Sequence, residues 1–169
     1  MNHSAHHDAS HRLLYLGVAG HRFCLRLGDV ERLLPLMRIQ PVPEGPDYLL
    51  GLMNLRGDAV PVLDLARRLG LATTMRYTLD TPVVLAAVGN LRAGLLVDEV
   101  QGVRAVPRAA LRGEALFRDG LPPVLSAVTG DDGTALLLDA LRILDIDLSS
   151  LSQPLRLNDE LLALSRETA

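Results

Sequence analysis

The sequence contains no lysine, so all 17 positive side chains among its 169 residues are arginine. That removes Schiff-base lysines, Ser-Lys dyads and the P-loop lysine as sources of chemistry. Tryptophan is absent too, and aromatic residues make up only 3% of the chain, so stacking platforms for nucleobases are lacking. A formal charge of -3 supplies no general basic field, and no nucleic-acid partner is expected. Cys24 is the single cysteine, which excludes an internal disulfide and a cysteine-rich zinc site and fits a reducing compartment. No apolar run approaches the roughly 18 to 20 residues of a membrane-spanning helix. The short apolar core of "HRLLYLGVAGHRF" continues into a period-2 pattern and reads as a first strand rather than a leader. The expected location is cytoplasmic, with no direct membrane insertion.

Catalytic constellations are equally scarce. There is no G-x-G-x-x-G, P-loop, H-E-x-x-H or G-x-S-x-G elbow. Beyond the first dozen residues His21 is the only histidine available as a base. Cys24 alternates with Phe23 and Leu25, the pattern of a buried small hydrophobe rather than of a reactive thiolate. Asp58, Asp64, Asp98, Glu99 and Asp139 suggest paired carboxylates. Asp58 and Asp132, however, stand beside glycines as turn residues do, while Asp64 and Asp139 occupy helix-cap positions. No catalytic residue, cofactor or metal site is assigned, and the chain is expected not to be an enzyme. His3, His6, His7 and His11, with Asp8, crowd the segment 1–12, but nothing there fixes a ligand geometry, and it reads as a disordered His-rich N-terminus.

What remains is globular: 49% hydrophobic and 22% charged residues, enough for one domain or two small lobes sharing a core. "LLYLGV", "RFCLRL", "LLGLMNL", "AVPVLDL", "PVVLAAV", "AGLLVDEV" and "ALLLDAL" read as strands, with short helices after Asp64 and Asp139. A weak repeat links "RGDAVPVLDLARRL" to "DDGTALLLDALRIL" at a shift of 75 positions, and "CLRLGDVE" to "GLLVDEVQ" at a shift of 70. These offsets divide residues 13–146 into two related lobes, about 13–80 and 81–146, with exchange of strands between them left open and an apolar seam joining them. In the tail 147–169, Leu157, Leu161 and Leu164 share one face of an expected C-terminal helix that lies on a barrel.

"PVPEGPDYLLGLMNLRGDAVPVLDLARRLGL", residues 41–71, resembles the signature of the CheW-like adaptor family of bacterial chemosensory systems. The matching features are Pro43, Pro46, Gly51, the run Asn54 to Gly57, and Pro61 with Asp64 and Leu65. "GHRFCLRLGDVERLL" and "AGLLVDEVQGV" resemble flanking parts of the same family, so the likeness covers roughly residues 13–146 in order.

The resemblance implies a mainly β fold of two linked five-stranded SH3-like β-barrels and a non-enzymatic adaptor. Such an adaptor couples the cytoplasmic tip of methyl-accepting chemoreceptors to the regulatory domain of a CheA-type histidine kinase, recruited to membrane receptor arrays. It places Val30, Gly51, Asn54, Arg56 and Gly57 on or beneath a receptor-binding groove, and Glu31, Arg32 and Leu33 toward the kinase. Arg32 stands where the family commonly carries a glutamate, a reversal that calls for a complementary partner. Arg56 has two expected roles: its fork can bind acidic groups of a partner, or clamp Asp58 or Asp98 within the chain. Exposed barrel edges leave self-association open. The alternatives are a CheW-like module regulating a different output, such as pili or cyclic-dinucleotide synthesis, and a ligand-binding barrel.

Overall fold

Alternating apolar residues fold as strands throughout the computed structural model, which describes residues 10–74, 76–112, 123–146, 157 and 159–167. In chain order the elements are β1 (Ser10–Val18), β2 (His21–Arg26), β3 (Val30–Pro35), β4 (Ile39–Gln40), β5 (Leu49–Leu55), β6 (Asp58–Asp64) and α1 (Leu65–Arg68). Then follow β7 (Pro82–Val88), β8 (Leu91–Leu96), β9 (Glu99–Pro107), β10 (Leu111–Arg112), β11 (Val124–Gly130), β12 (Gly133–Leu138), α2 (Ala140–Leu144) and α3 (Asp159–Ser165).

One sheet has the order β10-β11-β12-β2-β1-β9 and the other β4-β5-β6-β8-β7-β3. Each holds five strands of six residues or more and one two-residue piece at an edge. Written this way the two sheets superpose strand for strand. Each contains one parallel pair, β12 with β2 and β6 with β8. The register slips at matching places as well, between Val30 and Arg32 in one sheet and between Tyr15 and Leu16, opposite Val100 and Gly102, in the other.

Sheet membership does not follow a division at residues 80 and 81. The repeat units run β1 to α1 and β7 to α2, but each unit lends its first hairpin to the other: β1 and β2 join β9–β12, and β7 and β8 join β3–β6. The reason lies in the apolar pattern, because both faces of these hairpins are hydrophobic. Leu13, Tyr15 and Cys24 pack with Val106, Val128 and Leu137 within one lobe, while Leu14, Leu16, Phe23 and Leu25 face a cluster shared with Leu63, Val84, Ala86 and Leu95 of the other sheet. Val83 and Leu85 pack in turn with Met53, Val60 and Val62. A half of about 70 residues cannot bury enough surface alone, and strands apolar on both faces tie each half into the other's core. Burial pushes the Cys24 thiol up to about 12, as expected of an inert core residue.

The two ends of the chain differ in detail from expectation. Ser10, His11 and Arg12 belong to β1 and pair with β9, so the structured region begins before residue 13; His3, His6, His7 and Asp8 lie outside the described residues. In α3 the packed residues are Leu161 and Ser165, with Leu157 buried ahead of the helix, whereas Leu164 is exposed. The helix begins only at Asp159, after Leu157, so the three leucines do not share one helical face. His21 Nδ1 lies 3.0 Å from the Leu162 carbonyl oxygen and 3.2 Å from Ser165 Oγ, so the candidate base anchors α3. Asp64 caps α1 by accepting the Arg67 N–H at 3.0 Å. Asp139 makes no such side-chain bond to α2 and lies 4.0 Å from Arg142 instead.

Candidate partner-binding site

The segment Leu49–Asp64 folds as the hairpin β5–β6, closed by Arg56 and Gly57 between the paired residues Leu55 and Asp58. Both turn residues have positive φ, 55° and 95°, the backbone of a type I′ turn whose twist matches that of the strands. Glycine adopts this without strain, whereas arginine at positive φ costs of order 1 kcal/mol. Asn54 fixes the turn: its Oδ1 accepts the Gly57 N–H at 2.8 Å. Arg56 is exposed, and among the described residues it forms no ion pair.

The internal clamp expected of Arg56 belongs to another arginine. Arg92 of β8 bonds Glu31 at 2.8 Å and reaches Asp58 at 3.7 Å. This bridge brings the start of β3 and the tip of β5–β6 to one end of the lobe, so Val30, Glu31, Asn54, Arg56 and Gly57 share a neighbourhood. Asp98 has a separate partner, accepting the Ala19 N–H at 2.7 Å. Its carboxyl is raised above the ordinary range, first by burial.

Gly51 plays a different part. It is buried within β5 beside the register slip, with φ at +142° and an added Cβ only 2.2 Å from the Gln40 carbonyl oxygen. Its role is to let β4 approach β5, and it supports the surface from beneath. That approach shapes an open groove of about 650 Å³ lined by Met37, Arg38, Ile39, Leu52 and Asn54.

Glu31, Arg32 and Leu33 lie on β3, at the edge of its sheet. Glu31 is the extra residue of the register slip between Val30 and Arg32, turned into the bridge with Arg92. Arg32 is exposed and Leu33 is 48% exposed. An edge strand carrying an exposed cation and an apolar side chain is a ready surface for a partner.

Asp64, the other acid of interest, is only 2% exposed. Besides capping α1, it accepts the Tyr77 hydroxyl and pairs with Arg67 at 3.3 Å. Burial, followed by that bond to Asp64, raises the Tyr77 hydroxyl above its ordinary value. Asp64 and Asp98 are thus each held by a structural task. Among the described residues no three histidine, cysteine or acidic side chains converge on a common point.

A model of the CheW-like domain family matches residues 12–147. The chain belongs to that family. It is 31% identical over 108 residues to the chemotaxis protein CheW of Rhizobium meliloti, covering 63% of this chain and 69% of that protein. Over 112 residues it is 33% identical to protein FrzA of Myxococcus xanthus, covering 61% of this chain and 64% of the relative. The chemotaxis protein CheW of Bacillus subtilis aligns more fully, at 25% identity over 85% of this chain and 92% of its own. Among solved structures, the scaffolding protein TtCheW from Thermoanaerobacter tengcongensis superposes with a TM-score of 0.74 at 21% identity, covering 83% of this chain and 96% of that one. That likeness establishes the fold.

Three contributors escaped the sequence reading. The type I′ turn was signalled by Asn54 and Gly57 around a two-residue tip. Arg92 was signalled by the 70-residue repeat, which sets it on Arg22. Arg68 had no signal: it is buried, stacks 4.4 Å from the Tyr48 ring centroid, and donates to the carbonyls of Ile143, Arg142 and Asp145 at 3.1, 2.9 and 2.7 Å, binding α1 to the end of α2.

Proposed function

We propose that this chain is a non-enzymatic adaptor of a bacterial chemosensory system, coupling the cytoplasmic tip of a methyl-accepting chemoreceptor to the regulatory domain of a CheA-type histidine kinase. The observation that carries the reading is Arg56: a cation presented on a strained turn, unpaired among the described residues, while Arg92 takes over the internal clamp beside it. A strained, exposed charge persists where it serves an external contact. Receptor contact falls to the hairpin tip with Val30 and Asn54, and kinase contact to the β3 edge with Arg32 and Leu33. Membership of the CheW-like family, whose relatives include chemotaxis proteins and a scaffolding protein, supports this assignment. The adaptor works in the cytoplasm, recruited to membrane receptor arrays, and acts by binding alone.

A pull-down with the cognate receptor fragment and kinase tests it. Recovery of both partners is expected, with Arg56→Glu weakening receptor recovery and Arg32→Glu weakening kinase recovery while the fold survives. Failure of the parent chain to recover either partner overturns the adaptor role. Undiminished recovery by Arg56→Glu overturns the assignment of the tip.

A further inference from the structure

Charge is distributed unevenly between the two lobes. In the lobe built from β1, β2 and β9–β12, a cavity of about 670 Å³ is lined by the cations or potential cations His11, Arg26 and Arg108 and by Leu111, Leu125 and Leu137. An adjoining cavity shares His11 and Arg26 and adds Arg12. Among the described residues Asp29 is the only carboxylate lining either cavity, and none of the three arginines is in an ion pair. In a chain of formal charge -3, this is a local concentration of positive charge among the described residues.

The fold does not require it. The repeat that carries β2 onto β8 sets Arg26 on Leu96, which is buried in its own lobe. Among the described residues, the groove of that other lobe contains Arg38 as its single cation. Basic character has therefore been concentrated at one of two equivalent ends.

We propose that this cavity binds an organic phosphate of about nucleotide size. The guanidinium forks of Arg26 and Arg108 match phosphate oxygens in pairs, and His11 lines the same cavity. Leu111 and Leu125, both part-exposed over the buried Leu137, offer an apolar surface for the organic body, which a bare phosphate ion would leave unused. A volume of this size falls in the range of small-molecule sites, and its evenly mixed polar and apolar walls suit a ligand that is part phosphate and part organic. This inference is independent of the adaptor reading, because it uses neither the β5–β6 tip nor the β3 edge.

Calorimetric titration of the full chain at low ionic strength, with ADP, pyrophosphate and hexaglutamate as probes, tests the proposal. Saturable one-to-one binding of ADP is expected, tighter than either other probe. Arg26→Ala and Arg108→Ala should each weaken it by about tenfold, the loss of a charge-assisted contact. Arg76→Ala removes one exposed charge outside both cavities and should leave affinity unchanged. All three residues are exposed, so circular dichroism is expected to report unaltered folds. Absence of ADP saturation up to millimolar concentration overturns the proposal, as does binding insensitive to both cavity variants. Pyrophosphate binding as tightly as ADP removes the role given to the leucines, and tighter binding of hexaglutamate assigns the surface to acidic polypeptide instead.

Discussion

The tips of the β5–β6 and β11–β12 hairpins occupy the same place in the two sheets and use charge in opposite ways. Arg56 and Gly57 of the first correspond to Asp131 and Asp132 of the second. Behind each tip stands an equivalent arginine, Arg92 or Arg22. Arg92 bonds Glu31 and Asp58. Arg22 bonds Gln101 at 3.3 Å and the Asp132 carbonyl at 2.6 Å, and pairs with the Asp132 carboxylate at 3.7 Å. Asp132 also holds Arg104, and both arginines lie over the Tyr15 ring. At one tip the second residue, Asp132, is held by arginines of its own lobe and Asp131 is an exposed acid, while the other tip presents the cation Arg56. The two copies share a frame and differ in the sign of the charge at the first tip residue, and the proposed receptor contact falls on the cationic one.

The comparison can be broken most severely at the helices. Arg68 corresponds to Ile143 in the repeat, so one copy holds a buried guanidinium where the other holds an aliphatic side chain. Arg68→Ala orphans three carbonyls and removes the stack on Tyr48. A loss of about 3 kcal/mol is expected in chemical denaturation. A loss under about 1 kcal/mol would mean that water replaces the guanidinium without penalty.

Next comes the supporting glycine. Gly51 corresponds to Ser126, whose hydroxyl donates to the Arg112 carbonyl at 3.0 Å. Gly51→Ala forces a Cβ against Gln40 and is expected to cost about 2 kcal/mol and to perturb NMR signals of β4. Ser126→Gly should cost only about 1 kcal/mol. Equal costs would erase the distinction between the two sheets at this position.

A smaller effect with the opposite sign is expected at the exposed tip. Asparagine tolerates positive φ and completes a favoured Asn-Gly turn, so Arg56→Asn should stabilise the fold by up to about 1 kcal/mol. Thermal unfolding reads this directly, and a destabilised variant would show that Arg56 makes an internal contact after all.

The smallest difference is in pH dependence. The Arg104 side chain, bonded to Asp132, holds that carboxyl below the ordinary range. Its stabilising contribution is present above the unfolded-state value near 3.9 and is lost as pH falls through the lower folded value. Asp98 behaves in reverse: burial raises its carboxyl, so its contribution is full below the unfolded value and is lost as pH rises through the folded one. Between about pH 3 and 6, Asp132→Asn should reduce the slope of melting temperature against pH and Asp98→Asn should increase it. Changes of the same sign would contradict the two environments.

Strands with unambiguous apolar runs, such as β1, β2, β6 and β7, are legible in the sequence because consecutive residues are buried, and β5 because its buried and exposed residues alternate. β3 and β9 are not, since they are edge strands with an extra residue that breaks alternation and leaves much of their surface polar. The repeat offsets contain the pseudo-symmetry, yet the exchange of first hairpins is invisible to them: similarity between units does not say which unit pairs with which. At the binding site, the motif Asn54 to Gly57 is readable. The pairing of Glu31 and Asp58 with Arg92 depends on side chains brought together from three strands, which no local spacing encodes.

The central claim is that Arg56 serves an outside contact and not the fold. Its most direct test is the dissociation constant of the cognate receptor fragment for the parent chain, Arg56→Asn and Asp131→Asn, measured together with thermal stability. Arg56→Asn is expected to be at least as stable as the parent yet to bind about tenfold more weakly, with Asp131→Asn unchanged in affinity. Parental affinity in Arg56→Asn, or weakening that merely follows lost stability, would contradict the account.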